Sequence, residues 1–272
     1  MTRSFEGSRA LITGGSSGIG LAVARELARR GAHVALAARD VARLDAAVRE
    51  VRAVATPGVE VRAWSVDVTD AAAVAKLRAD VLAEFGELDV LVLSAGATHP
   101  AAFHDTSLDT FRALMDVNYF GTVHVTRAFV DDFRRRRKGH VVGISSIAGL
   151  LGVYGYAAYT SSKFAVAGFF ECLRQELHVD GIDVSVVFPG DTDTPMLEAE
   201  NRIKPDATRA VAGNVPAVSA DEVARAIVLG MQAKKFRIVP GVHAKVVALL
   251  ARHVPELVRA VTDRQVRRAV TR

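Results

Sequence analysis

Tyr159 and Lys163 stand four residues apart in the run Tyr-Thr-Ser-Ser-Lys, and Ser146 lies upstream of both. On a helix, positions i and i+4 share a face, so the Lys163 ammonium is placed to lie beside the Tyr159 phenol and favour its ionised form. A free phenol titrates near 10, and bringing it to neutrality takes roughly 3 units, or about 4 kcal/mol of differential stabilisation. A phenol poised in that way moves a proton to or from a carbonyl or hydroxyl oxygen, and the Ser146 hydroxyl is suited to hydrogen-bond the same oxygen. Near the start of the chain, Thr13-Gly14-Gly15-Ser16-Ser17-Gly18-Ile19-Gly20 forms a glycine-rich turn between an apolar run and a helical pattern, Leu21 to Arg30. Backbone N–H groups and the positive end of that helix then converge on one point, which suits a pyrophosphate. The two features together point to reductase chemistry, in which the positive nicotinamide ring of a bound dinucleotide would join Lys163 in stabilising the phenolate.

Positioning these groups falls to a regular alternation of elements. Short apolar runs bounded by turns alternate with longer segments of helical period, the pattern of parallel strands joined by right-handed crossovers. Strands are expected at Arg9 to Thr13, His33 to Ala38, Glu60 to Ser65, Leu88 to Ser94, Gly139 to Ser145, Ile182 to Pro189 and Phe236 to Val239. Helices are expected to begin near Ile19, Val41, Ala71, Thr110, Tyr156 and Asp221, the last capped by Ser219. The uninterrupted run Val90-Leu91-Val92-Leu93 requires burial on both faces. The expected fold class is therefore α/β, a Rossmann-type, doubly wound parallel sheet of seven strands with helices on both faces. Ligands of such sheets bind beyond the carboxyl ends of the strands, where Thr13, Arg39, Asp67, Ser94, Ser146 and Pro189 all fall.

The 272 residues contain no Pro/Gly/Ser-rich linker and read as one domain, with 190–215 as a substrate lid and 240–272 as an amphipathic, basic extension. Half of the residues are hydrophobic, enough for a core covered on both sides. The formal net charge of +5 is spread along predicted helices without interleaved aromatics. Nucleic acid is therefore not an expected partner, whereas an anionic cofactor or membrane surface is. The run Arg134-Arg135-Arg136-Arg137-Lys138 reads as a solvated helix end, where cations suit the dipole. Cys172 is the only cysteine, so no internal disulfide can form, and it is expected to be a buried small hydrophobe in a reducing cytoplasm. Neither a secretory leader nor an apolar run long enough to span a bilayer is recognisable. The eight histidines show no paired ligand spacing, so no metal is expected.

After the second strand, an NAD site places an acidic residue against the ribose 2′-hydroxyl, but here Ala38 is followed by Arg39. A guanidinium pairs with a 2′-phosphate through its fork, so the expected cofactor is NADPH.

Thr13-Gly14-x3-Gly18-x-Gly20, Asp67-Val68, Asn118 in Asn-Tyr-Phe-Gly, Ser146-x12-Tyr159-x3-Lys163 and Pro189-Gly190-x3-Thr194 together make the chain resemble the short-chain dehydrogenase/reductase family over nearly its whole length. The resemblance implies a catalytic set of Asn118, Ser146, Tyr159 and Lys163, with Asn118 holding a water that relays protons to Lys163. It also implies cofactor contacts from Gly14, Ser16, Ser17, Gly18, Ile19 and Gly20, from Arg39, and from Asp67 and Val68 around the adenine. Ala95 and Gly96 would pass beside the adenine ribose, Lys163 would bind the nicotinamide ribose and Thr194 the carboxamide, with Tyr159, Pro189, Gly190 and Thr192 as further cofactor contacts. One departure stands out: Leu93-Ser94 replaces the two asparagines common before Ala-Gly in this family, so neither is assigned to the site.

Pro-Gly-Asp-Thr-Asp-Thr-Pro-Met from Pro189, followed by Glu200-Asn201-Arg202-Ile203-Lys204-Pro205, resembles the 3-ketodihydrosphingosine (3-dehydrosphinganine) reductase subfamily. Gly190 departs from the proline expected in its eukaryotic members. What the subfamily implies is reduction of the C3 ketone of a long-chain amino ketone in sphingolipid synthesis. Leu150, Leu151, Val153, Tyr154 and Tyr156 form either an apolar wall for an acyl chain or ordinary core. Asp191 or Asp193 either attracts the substrate ammonium or hydrogen-bonds within its own loop. The segment Ala244 to Val261, interrupted by Pro255 and flanked by Arg259, Arg264, Arg267 and Arg268, lies on an anionic membrane or packs on the domain or a subunit partner. Alternatives are a reductase for another bulky carbonyl, such as a steroid, retinoid or 3-oxoacyl thioester, and a regulatory module that binds NADP without turnover. A homodimer or homotetramer built on the fourth and fifth long helices is expected from the resemblance.

Overall fold

A computed structural model describes residues 4–212 and 216–270. Strand β1 (Arg9–Thr13) leads through the glycine turn into α1 (Gly18–Ala28), and β2 (His33–Ala38) into α2 (Val41–Val54). Next come β3 (Val61–Ser65), α3 (Ala71–Glu84) and β4 (Val90–Leu93). Asp40 and Asp70 start α2 and α3 by accepting from the N–H groups of Arg43 and of Ala72 and Ala73, which would otherwise be orphaned at a helix start. The chain then runs through α4 (Leu108–Met115) and α5 (Gly121–Arg136), β5 (His140–Ile144), α6 (Ala157–His178) and β6 (Asp183–Val187). The described chain ends with β7 (Thr192–Asp193), α7 (Pro195–Ile203), α8 (Asp206–Ala212), β8 (Val218–Ser219), α9 (Ala220–Gln232), β9 (Arg237–Ile238), α10 (Val242–His253) and α11 (Pro255–Val270).

The main sheet has seven parallel strands in the order β3-β2-β1-β4-β5-β6-β9, so the order reverses between β1 and β4. All seven expected strands are in it, each shortened at its ends or unchanged. Its residues alternate between two cores. Ala10, Ile12, Val90 and Val92 face α1, α2 and α9, while Leu11, Leu91 and Leu93 face α3, α5 and α6. The short parallel pair β7 and β8 joins Thr192 to Val218 and Asp193 to Ser219 outside this sheet. It was not anticipated, since two residues are too few to show a period of two.

The helix expected from Thr110 begins at Leu108 under the Ser107 cap and passes without a break through a π-helical segment, Asp116–Phe120, into α5. Ser219 caps α9 as expected, accepting from the N–H of Glu222. Arg134 to Arg136 end α5, and Arg137 takes the left-handed cap with φ 50°. The exposed cations of this end pair with Glu87, Asp89 and Asp180. Cys172 corrects the expectation of burial: it is exposed. Val166, Phe170, Leu173 and Leu177 form the buried stripe of α6, and position 172 falls off it. The C-terminal segment is two helices hinged at Val254, with α11 packed on α8. No helix among the described residues is long and apolar enough to cross a membrane.

Candidate active site

The carboxyl ends of β1, β2, β4, β5 and β6 open on one cleft of about 1060 Å³. Gly14, Ser16, Ser17, Gly18, Ile19, Arg39, Asp67, Val68, Ala95, Gly96, Ser146, Tyr159, Lys163, Pro189, Gly190, Thr192 and Thr194 all line it. Two residues of the expected set do not, Gly20 and Asn118, and each has a structural task just behind the wall. Gly20 lets α1 close on the turn, because a Cβ there would meet the Gly14 carbonyl oxygen at 2.3 Å. Gly14 itself has φ +66°, and its Cβ would meet Ser94 O at 2.7 Å. Only glycine fits either place, which leaves the turn's N–H groups aimed at the cleft above the start of α1. This cradle fits the pyrophosphate of a dinucleotide.

The adenosine end fits as well. Asp67 Oδ1 is occupied by the backbone N–H and hydroxyl of Thr69, at 2.9 and 2.8 Å, which hold the carboxyl below its ordinary range with the Arg39 charge assisting. Its Oδ2 faces Arg39 at 3.9 Å, and the Arg39 side chain is 72% exposed at the rim. Arg43, one turn into α2, also lines the cleft, held 3.5 Å from Asp40. Sequence reasoning missed Arg43, because Arg39 lies outside α2 and no helical spacing links the two.

At the other end, Ser146 Oγ accepts from the N–H of Ala148 at 3.1 Å and donates to the Pro189 carbonyl at 3.5 Å, and it lies near enough to the Tyr159 phenol to favour its ionised form. Lys163 is 6% exposed, and its ammonium donates to the main-chain carbonyl of Ile144 at 3.0 Å. Desolvation pulls that ammonium down to about 8. For Tyr159, the protein's own groups act against the expected ionisation, which also called on a bound nicotinamide. Desolvation inside the cleft raises the phenol above its ordinary range; the Ser146 hydroxyl works against the shift, and the charges of Glu200 and Asp191 add to it. Lys163 faces the ring, 5.6 Å from its centre, rather than hydrogen-bonding the hydroxyl. With the protein's own groups alone, Tyr159 is therefore protonated at neutral pH, the form that can donate to a carbonyl oxygen.

Asn118 sits in the π segment, and its side chain is committed. Its amide donates to Ala97 O at 3.0 Å and Ser162 Oγ at 2.8 Å, and its Oδ1 accepts from the N–H of Ala97 at 2.8 Å. Ser162 in turn donates to the carbonyl of Tyr159 at 2.7 Å. A water at Asn118 would therefore have to donate to one of its oxygens. The inserted residue of a π segment turns this side chain towards β4 and α6.

Of the residues left open between an apolar wall and core, Leu151, Val153, Tyr154 and Tyr156 line the cleft, whereas Leu150 packs into the second core. Asp191 lines the cleft and Asp193 does not. Ser94, expected at the strand ends but not assigned to the site, lines the cleft, and several lining residues were not anticipated: Arg43, Glu200 and Lys204, and, from the C-terminal helices, His243, Val247, Thr262, Asp263 and Val266. Ser94 reaches the site because β4 ends beside Thr13, its N–H 3.2 Å from the Thr13 hydroxyl. Residues 213–215 of the expected lid lie outside the described residues.

Comparison with known proteins bears on this geometry. A family model described as short chain dehydrogenase matches residues 8–204. The chain is 38% identical over 226 residues to a Danio rerio protein named 3-dehydrosphinganine reductase, covering 82% of this chain and 68% of that one. It is 34% identical over 262 residues to a Dictyostelium discoideum protein named 3-ketodihydrosphingosine reductase, covering 91% and 78%. Among solved structures, a short chain dehydrogenase/reductase from Burkholderia phymatum in complex with NAD superposes with a TM-score of 0.81 at 27% identity, covering 94% of this chain and 96% of that one.

Proposed function

Because the chain belongs to the short-chain dehydrogenase family, we propose that it reduces the C3 ketone of 3-dehydrosphinganine, a long-chain 2-amino ketone, to the secondary alcohol of sphinganine, with NADPH as reductant. The observation that carries this reading is the convergence of Ser146, Tyr159 and Lys163 on one apolar-walled cleft, with the Lys163 ammonium 5.6 Å from the Tyr159 ring centre. The names of the relatives supply the substrate. Bound in the cleft, the reduced nicotinamide supplies the hydride that the ketone carbon receives. Tyr159 gives its proton to the ketone oxygen, and Ser146 holds that oxygen by a hydrogen bond. Lys163, with a pKa drawn down to about 8, faces the Tyr159 ring and would hold the nicotinamide ribose by a hydrogen bond. Arg39 and Arg43, two guanidiniums at the adenosine rim, favour a 2′-phosphate and so NADPH.

The same reading takes the outer face of α10 and α11 as the route by which a lipid substrate arrives. Leu249, Leu250, Leu257 and Val261 are exposed there, among Arg252, Arg259 and Arg264, and would rest on an anionic membrane at its cytoplasmic side. Association as a homodimer or homotetramer through α5 and α6 belongs to this reading, and sedimentation equilibrium tests it. The deciding experiment for the activity is NADPH oxidation with 3-dehydrosphinganine against a steroid, a retinoid and a 3-oxoacyl thioester. A clear preference for the amino ketone supports the proposal. Preference for another carbonyl replaces the substrate, and no oxidation with any of them leaves a module that binds cofactor without turnover.

A further inference from the structure

The run Glu200-Asn201-Arg202-Ile203-Lys204-Pro205 was singled out in the sequence, yet the proton and hydride steps make no use of it. In the fold it supplies a polar site against the wall of the cleft. Glu200 and Lys204, one turn apart at the end of α7, form an ion pair with Nζ 3.8 Å from Oε2, their side chains only 11% and 5% exposed. The hydroxyl of buried Tyr156 donates to the same Oε2 at 2.8 Å, and the Lys204 ammonium stands 5.9 Å from the centre of the Tyr156 ring. Oε1, the other oxygen of Glu200, has no hydrogen-bond partner among the described residues, and Glu200 lines the cleft. That oxygen is not sealed from solvent, so it is free to accept from a donor brought into the cleft.

Charge and position narrow the class of donor. Asp191 lines the same cleft, and its charge acts with that of Glu200 on both Tyr156 and Tyr159. The ammonium of Lys163 faces the Tyr159 ring and donates to the Ile144 carbonyl, so a positive group on the ligand can take up the carboxylates at this end. Tyr156 and Tyr159 lie with ring centres 5.9 Å apart, so the Glu200 site is next to the phenol that serves the ketone oxygen. In a 2-amino ketone the ammonium is on the carbon adjacent to the carbonyl, which is the separation such neighbouring groups would serve. Asp193, the other aspartate considered for this role, lies off the cleft on β7.

We propose that Glu200, oriented by Tyr156 and Lys204, is the subsite for the substrate's ammonium, and that it makes the cleft selective for 2-amino ketones over neutral long-chain ketones. The inference rests on the activity proposed above and goes beyond it by assigning the selectivity to one carboxylate.

The test compares kcat/KM for 3-dehydrosphinganine with that for the deaminated 3-ketone of equal chain length, in the unaltered protein and in Glu200→Gln. The amide keeps an oxygen for Tyr156 but removes the charge. The ratio of the two substrates is expected to fall by about 10- to 100-fold, the loss falling mainly on KM of the amino ketone. Asp193→Asn should leave the ratio unchanged. Melting temperature and NADPH binding report whether the Gln variant is folded. If it is not, Tyr156→Phe, which frees the carboxylate from its positioning hydroxyl, should lower the same ratio by a smaller factor. Equal losses on both substrates, an unchanged ratio in the folded variant, or a selective loss in Asp193→Asn instead would overturn the assignment while leaving the proposed activity standing. Failure of the unaltered protein to reduce the amino ketone, with turnover of another carbonyl, would remove the activity and this subsite together.

Discussion

The ammonium of Lys163 lies 5.6 Å from the centre of the Tyr159 ring, and its hydrogen bond goes to the Ile144 carbonyl rather than to the phenol. The pair shares a helical face as their spacing requires, yet the phenol is shifted upwards. Desolvation outweighs a cation that meets the ring and not the hydroxyl. The protein alone thus keeps the phenol in the acid form that a reduction would use, and a positive nicotinamide ring bound nearby would shift that balance towards the phenolate.

If Tyr159 is that acid, Tyr159→Phe should lower kcat by roughly 10²- to 10⁴-fold, the range spanned by general acid catalysis. NADPH affinity, followed by fluorescence titration, should stay within about threefold. Turnover close to that of the unaltered protein would remove Tyr159 from the mechanism.

Lys163 makes a prediction of opposite sign for stability and activity. Its fall from 10.5 to about 8 on folding is a cost of about 3 kcal/mol, present in full below pH 8. Above pH 8 the folded state has released the proton while the unfolded chain still holds it. The cost therefore shrinks as pH rises and vanishes near 10.5. Lys163→Met should lose activity and gain about 1–2 kcal/mol in urea unfolding at pH 7, the unpaired Ile144 carbonyl offsetting part of the benefit. That gain should decline between pH 8 and 10.5, and a pH-independent difference would contradict the depressed pKa.

Arg39 carries the cofactor prediction. Arg39→Asp should move the ratio of kcat/KM for NADPH over NADH towards NADH by about 100-fold, since a bidentate cation is exchanged for a repelling carboxylate. Arg43→Ala should move it in the same direction by a smaller factor. Unchanged ratios in both variants would place the 2′-phosphate elsewhere.

At the turn, Gly20→Ala should weaken NADPH binding tenfold or more and destabilise the fold by about 1–3 kcal/mol, because the added Cβ meets the Gly14 carbonyl at 2.3 Å. Isothermal titration and thermal unfolding measure the two effects. Retention of full affinity would show that the turn can relax.

The outer face of the C-terminal helices is tested with anionic lipid vesicles. The unaltered protein should co-sediment at low salt, and Leu249→Asp with Leu257→Asp should leave it in the supernatant while NADPH binding persists. Equal sedimentation of both proteins would assign the face to something other than lipid.

Much of the site could be read in advance because parallel topology does the convergence. Arg39, Asp67, Ser146 and Pro189 fall one or two residues beyond strands whose apolar runs are unmistakable, and parallel strands deliver them to the same edge, while Thr13, the last residue of β1, stays buried behind the cleft. Arg43, Glu200 and Lys204 were harder. Their motif spacing is ordinary for surface helices, and nothing local says that α2 and α7 face the cleft. Cys172 was misplaced for the same reason in reverse: composition favours burial of a lone cysteine, but the stripe of Val166, Phe170 and Leu173 on α6 had already chosen the buried side.

Residue order by itself determined the seven-stranded sheet, the glycine cradle and the pairing of Tyr159 with Lys163 on one helical face, since these depend on local period, on sterics within a turn and on spacing. Tertiary structure decided how far the phenol and the ammonium are desolvated, which carboxylate lies beside them, and that α10 and α11 close one wall of the cleft. Those outcomes depend on groups brought together from distant parts of the chain, where electrostatic strength is set by what surrounds a charge and not by its position in the sequence.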